Sequence, residues 1–136
     1  MVITRETDYA LRILRALSDG KQATAEEICE KEILPKQFVY KIIKKLEKVN
    51  LIQIIRGVHG GYRLIGDLSK VSMLDLINIM DSEVIINACV RPGYRCGLKE
   101  VDGKTCKVHL EIQKLQDTIE KELRSRTLEQ LVCESI

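Results

Sequence analysis

Two short apolar strands joined by a glycine-rich turn constrain this chain more than any other feature. Leu51-Ile52-Gln53-Ile54-Ile55 is a β-branched run, the pattern of a strand. Arg56-Gly57-Val58-His59-Gly60-Gly61 reads as the turn, and Tyr62-Arg63-Leu64-Ile65 as the return strand. A lone two-stranded hairpin is marginal in water, so it must pack on something else. The residues before it supply helices. Thr4 can cap a first helix, with Glu6 and Asp8 in its opening turn, where the helix dipole favours negative charge. Ala10, Ile13, Leu14 and Leu17 then recur at helical spacing, and Gly20 suits a left-handed position past the end. Thr24-Ala25-Glu26-Glu27 is a capping box for a second helix, with Ile28 and Cys29 facing inward. Pro35 suits the first position of a third, whose apolar stripe is Val39, Ile42, Ile43 and Leu46. Asn50 can take the left-handed conformation that ends it.

Three helices followed by a hairpin is the order of a winged helix-turn-helix. Ser72-Met73-Leu74-Asp75 opens a fourth helix carrying Leu74, Ile77 and Met80. The stretch 82–105 reads as irregular, broken by Pro92, Gly93, Gly97 and Gly103. A last helix starts near Thr105, and its Val108, Ile112, Leu115 and Ile119 approach a coiled-coil seam. The expected fold is therefore mainly α with a small β-hairpin: a winged helix-turn-helix plus a long C-terminal dimerisation helix. Its expected divisions are a DNA-binding domain over 1–81, a cysteine-bearing loop over 82–105, and a dimerisation helix with tail over 106–136. With 136 residues, 45% hydrophobic and 31% charged, the chain can hold a core of its own and is not a disordered protein. No apolar run approaches the roughly 20 residues of a membrane span. The charged N-terminus lacks a signal-peptide core. The expectation is a cytoplasmic protein with no membrane partner.

A formal net charge of +2 conceals segregation. Residues 31–63 hold eight basic and two acidic side chains, a net +6, which leaves −4 for the rest. Such concentration on one helix and one hairpin is an electrostatic footprint for double-stranded DNA. Gln37, Tyr40 and Lys41 are long polar groups near the N-terminal half of the third helix, where base edges are reached. Lys36 stands beside them. Lys44, Lys45 and Lys48 lie further along and suit phosphates, which position without specifying. On the hairpin, Arg56 and His59 with Gly57, Gly60, Gly61 and Tyr62 form the second part of the surface. There an arginine can enter a minor groove because glycines let the backbone come close. A lysine-rich helical face is more often simply solvated; the basic, glycine-rich hairpin beside it adds weight to DNA. An enzyme is not indicated. The chain has two histidines, no nucleophile–base pattern, and no glycine loop opening a helix.

Cys89, Cys96 and Cys106 follow Cys-x6-Cys-x9-Cys spacing, and His109 follows after two residues. Structural disulfides are rare in the cytosol. Metal binding, redox-active free thiols and inert thiols remain open. The three lie in a polar stretch among Arg91, Arg95, Lys99, Lys104 and Lys107, and Cys106 sits near a helix start. Both features favour thiolate, the form that binds iron–sulfur clusters and zinc. No CxxC pair marks a zinc ribbon or a ferredoxin run. Cys29 and Cys133 read as structural.

The segments TRETDYALRIL, LPKQFVYKIIKKLEKVNLI and IIRGVHGGYRL resemble the Rrf-type family of bacterial winged helix-turn-helix transcription regulators, in its IscR/NsrR-like iron–sulfur branch. The resemblance extends through TLEQLV near the C-terminus. It implies a homodimeric repressor or activator on a pseudo-palindromic operator, whose long helix forms the dimer interface. It implies an iron–sulfur cluster held by Cys89, Cys96 and Cys106, which senses redox state, nitric oxide or cluster supply. His109 is the fourth ligand that the IscR pattern suggests, and Asp8 of the partner subunit the one that the NsrR pattern suggests. The first set favours 2Fe–2S and the second 4Fe–4S; the Cys-x2-His spacing prefers 2Fe–2S. The interval from Cys96 to Cys106 is longer than in those patterns. The alternatives are a thiol or zinc switch on the same frame, or a regulatory subunit that binds an enzyme.

Overall fold

The computed structural model describes residues 2–133. Helix α1 spans Arg5–Ala16, and the Thr4 side chain accepts from the Thr7 N–H. Gly20 is left-handed as expected, but it closes a turn beyond the helix, donating its N–H to the Leu17 carbonyl. Helix α2, Ala25–Glu32, begins with half of its capping box. The Thr24 hydroxyl accepts from the Glu27 N–H, while the Glu27 carboxylate bonds the same hydroxyl. Its exit passes through Ile33 at φ 55, an uncommon conformation for a β-branched residue. That turn buries Leu34, whose N–H reaches the Cys29 carbonyl.

Helix α3 spans Lys36–Lys48, with Pro35 at its N-cap, one position ahead of the expected one. Lacking an N–H, Pro35 contributes its carbonyl, which accepts from Phe38 and Val39. Val39, Ile42, Ile43 and Leu46 are all buried, as the stripe requires, and Asn50 turns left-handed. Strands β1 (Ile52–Ile55) and β2 (Gly61–Leu64) pair antiparallel, Ile52 opposite Leu64. The hairpin gains a backbone partner from outside its two strands: Ala23 and Tyr62 exchange both backbone hydrogen bonds, at 2.9 and 2.7 Å. This bridge, with buried Leu51 and Ile52, joins the marginal hairpin to the helices.

After a 3₁₀ turn at Leu68–Lys70, helix α4 spans Met73–Ile79 behind a complete Ser72/Asp75 capping box. The stretch expected to be irregular contains a 3₁₀ turn at Ala88–Val90 and a short helix, α5, Gly97–Asp102. Gly103 closes α5 at φ 67, so two of the expected breakers bracket a helical turn. Helix α6 spans Lys107–Ser125 and α7 Leu128–Val132.

The main core joins α1, α2, α3, β1 and α7 around fully buried Ile13, Leu14, Ile28, Ile42 and Leu46. The residues expected as a tail belong to it. Leu128 is fully buried, and its N–H meets the Val71 carbonyl. A smaller cluster of Met73, Leu74, Ile77 and Val84 holds Ile119 and Leu123 of α6. Gln116 is buried in this joint. Its amide nitrogen donates to the Val84 carbonyl, and its amide oxygen accepts from the Ile86 N–H at 3.0 Å. The four seam positions therefore divide in this single chain. Ile112 and Ile119 are half-buried, while Val108 and Leu115 stand exposed. Among the described residues no helix is long and apolar enough to cross a membrane.

Candidate functional site

The basic surface is built by α3 and the wing. The buried stripe of α3 leaves Gln37, Tyr40, Lys41, Lys44 and Lys48 outside. Tyr40 meets Arg56, Gly57, Gly60, Gly61 and Tyr62 in a hollow of about 240 Å3, closed behind by Thr24–Glu26 at the start of α2. Helix and wing thus share one surface. Lys36 pairs with Glu26, and its ammonium lies 5.9 Å from the Tyr40 ring centroid. The Glu26 bond raises the Lys36 pKa and keeps the group charged. Lys41 bonds Glu6 at 2.5 Å. Lys45 is directed inward, to Glu6 at 2.8 Å, Asp81 at 3.2 Å and the Met80 carbonyl at 3.4 Å.

On the wing, Arg56, Val58 and His59 are exposed. Gly57 takes φ 112 with open space around it, as a tip requires. Gly60 and Gly61 have another reason to be glycine. A Cβ on Gly60 would come within 2.4 Å of the Ile55 carbonyl oxygen, and one on Gly61 within 2.7 Å of the Ala23 oxygen. The turn's close approach to its own backbone requires the first, and the docking of β2 against Ala23 requires the second. Gln22 further tethers the tip, donating to the His59 carbonyl at 2.6 Å. Tyr62 is half-buried against the core, and that burial pushes its phenol pKa up.

Cys89, Cys96, Cys106 and His109 all line a second hollow, of about 530 Å3. The 3₁₀ turn carries Cys89, the N-cap of α5 is Cys96, and Cys106 caps α6, its sulfur accepting from the His109 N–H at 3.5 Å. Of the nearby cations, Arg91 pairs with Glu83 and Arg95 with Glu100, at 2.6 and 2.8 Å, while Lys99 lines the hollow. Among the described residues, no three His, Cys, Asp or Glu side chains converge on one ion-sized position. The three thiols and the imidazole therefore share one hollow without forming a ready-made single-ion site.

Asp8 does not line this hollow in its own chain; it pairs with Arg12 at 3.1 Å on α1. Cys29 is half-buried, and burial raises its thiol pKa. Cys133 is exposed. Two residues that organise these surfaces escape a reading of local pattern. Glu6 ties α1 to α3, and Gln116 ties the cysteine stretch to α6; their partners lie 30 to 39 positions away.

Residues 3–134 match the Rrf2 family model, described as an iron-dependent transcriptional regulator. The chain belongs to the Rrf2 family. It is 30% identical over 135 residues to the HTH-type transcriptional regulator NsrR of Oceanobacillus iheyensis, covering 90% of this chain and 92% of that protein. Its fold is similar to that of CymR (YrzC), the global cysteine regulator of B. subtilis. The TM-score is 0.72 at 21% identity, with 100% of this chain and 99% of that one covered. It is also similar to T. potens IscR, with TM-score 0.69 at 18% identity, covering 96% and 85% of the two chains. This Rrf2 protein is accordingly a winged-helix transcription regulator and not an enzyme, and DNA binding comes with the family.

Proposed function

We propose that this Rrf2 protein is a cytoplasmic homodimeric regulator in which an iron–sulfur cluster, held by Cys89, Cys96 and Cys106, controls DNA binding. One observation carries the reading: the three thiols and the His109 imidazole line a single hollow at the N-terminus of α6. His109 is the fourth ligand in this reading, which favours 2Fe–2S; Asp8 of the partner subunit, with 4Fe–4S, is the competing choice. When bound, the cluster supplies a redox-sensitive and degradable cross-link between the cysteine stretch and α6. The chain does the rest. Cys106 fixes the first turn of α6 through its bond to the His109 N–H. Gln116 clamps residues 84–86 to the same helix, and Ile119 and Leu123 carry it onto α4. In a dimer formed through α6, with Val108 and Leu115 in the interface, a change at the hollow alters the separation of two α3 helices. Half-site spacing then converts it into affinity.

On DNA, Gln37, Tyr40 and Lys41 meet base edges. Lys44 and Lys48 meet phosphates, with Lys36 beside Tyr40. Arg56 and His59 carry the wing, shaped by Gly57, Gly60, Gly61 and Tyr62. Lys45 holds α3 against α1. The domain division at 81 and 105 follows the same reading, with α7 returning to the first unit.

Anaerobic reconstitution with iron and sulfide, followed by ultraviolet-visible spectroscopy, tests the cluster. The expected result is sulfur-to-iron charge-transfer absorption that Cys96→Ser abolishes and His109→Ala or Asp8→Ala shifts, according to which is the ligand. No such absorption with all three cysteines intact would contradict it. The thiol switch is the second reading. It is favoured by similarity of the fold to the oxidised form of CymR from Staphylococcus aureus.

A further inference from the structure

Glu6 reaches two lysines of α3 from the first turn of α1, and the two are held differently. Lys45 keeps only 23% of its side chain exposed and has three acceptors: Glu6, Asp81 and the Met80 carbonyl. It is a fixed strut between α1, α3 and the end of α4. Lys41 keeps 58% exposed, and among the described residues Glu6 is its one hydrogen-bond partner, at 2.5 Å. The Lys41 end of this pair is solvent-exposed and open to screening by salt, so Lys41 can exchange partners. Glu6 cannot follow it, because its other oxygen stays bonded to Lys45. Two anionic oxygens held by two ammonium groups is also the arrangement that a DNA phosphate offers. The hydrogen bonds from Lys41 and Lys45 lower the Glu6 pKa, so the carboxylate persists beside them.

We propose that Glu6 is a built-in counter-ion that competes with DNA phosphates for Lys41. It thereby limits the sequence-independent affinity of the recognition helix. This rests on the DNA-binding surface assigned above. A phosphate must displace Glu6 to gain Lys41, whereas Lys44 has no ion-pair partner among the described residues and is available at once. Base edges that accept two hydrogen bonds from one lysine compete better than a lone phosphate does, so Glu6 favours specific over generic sites.

The test is a fluorescence-anisotropy titration of a generic duplex at several salt concentrations. It uses the full chain as wild type, Glu6→Gln, Lys41→Gln, Lys44→Gln, and the two lysine variants combined with Glu6→Gln. Each phosphate neutralised contributes about 0.9 to the log–log salt slope. Lys44→Gln should flatten the slope by about that amount with Glu6 present or absent. Lys41→Gln should flatten it by less than half as much in the wild-type background, and by the full amount once Glu6 is Gln. Glu6→Gln alone should steepen the slope, widening the affinity ratio between 50 and 200 mM salt about threefold. Equal effects of Lys41→Gln and Lys44→Gln with Glu6 in place would overturn the proposal, even if Glu6→Gln fails to fold. An unchanged slope in a folded Glu6→Gln protein would also overturn it. Absence of any duplex binding by the wild type would remove the DNA-facing assignment, and the proposal with it.

Discussion

Between Ala10 and Ile52, every regular element of the DNA-facing head contributes fully buried apolar side chains, whereas from Ala88 to Thr105 Val90 alone is buried. In the function proposed above, the two regions divide the labour of a regulator in physical terms. The head is shaped by its own packing, so its surface chemistry is presented in one geometry whatever occurs elsewhere. The cysteine stretch is held at its ends, by Gln116 and by the cap of α6, and has little apolar burial of its own between them. Segments with few buried contacts open at low free-energy cost. A group bound among the three thiols can therefore change the conformation of this stretch without first breaking a core.

The strongest challenge to that contrast is a matched pair of truncations. Ile42→Ala in the fully buried stripe should lower stability by about 2–5 kcal/mol, seen as an earlier urea midpoint. Cys96→Ser in metal-free protein should stay within about 0.5 kcal/mol. Similar losses in both would erase the distinction. Glycines sharpen it next. Gly61→Ala places a Cβ 2.7 Å from the Ala23 oxygen and should cost about 1–3 kcal/mol. Gly97→Ala meets open space at the start of α5 and should cost nothing measurable in the same unfolding experiment. The smallest effect concerns reactivity. Burial raises the Cys29 pKa, so at neutral pH less of it is thiolate and iodoacetamide should label it more slowly than exposed Cys133. The labelling of Cys29 should accelerate as pH rises through its elevated pKa. Mass-spectrometric time courses at two pH values would reveal equal rates if that burial were absent.

Local pattern made much of the head legible. Val39, Ile42, Ile43 and Leu46 carry a helical period, Ser72 and Asp75 a capping box, and Asn50 a left-handed exit. Each is decided within one turn of chain. Elements decided at long range were not legible. Leu128 and Val132 resemble a short tail until α7 is seen against α1 and the Leu68–Lys70 turn, although Thr127-x-x-Gln130 does carry a capping box. Gln116 is polar in an exposed-looking helix, and only the Val84 and Ile86 backbone groups explain its burial. Lys45 has the charge of a phosphate ligand, but Glu6 and Asp81 turn it inward. Gly60 and Gly61 are demanded inside the fold by the Ile55 and Ala23 carbonyl oxygens, which lie far enough away in sequence or structure to escape local pattern. At the cysteine site, residue type and spacing singled out Cys89, Cys96, Cys106 and His109, which line one hollow. Their arrangement around it includes α5, which sequence pattern did not reveal.

The claim that the cysteine hollow governs the head is tested most directly by one paired binding measurement. The same duplex, containing a pseudo-palindromic site that the protein protects, is titrated at fixed salt with anaerobically reconstituted protein and with the same preparation after chelator treatment. Coupling between two sites of this kind predicts affinities that differ by about 5- to 150-fold. Equal affinities, with bound iron and sulfide verified in one sample and absent from the other, would contradict the account.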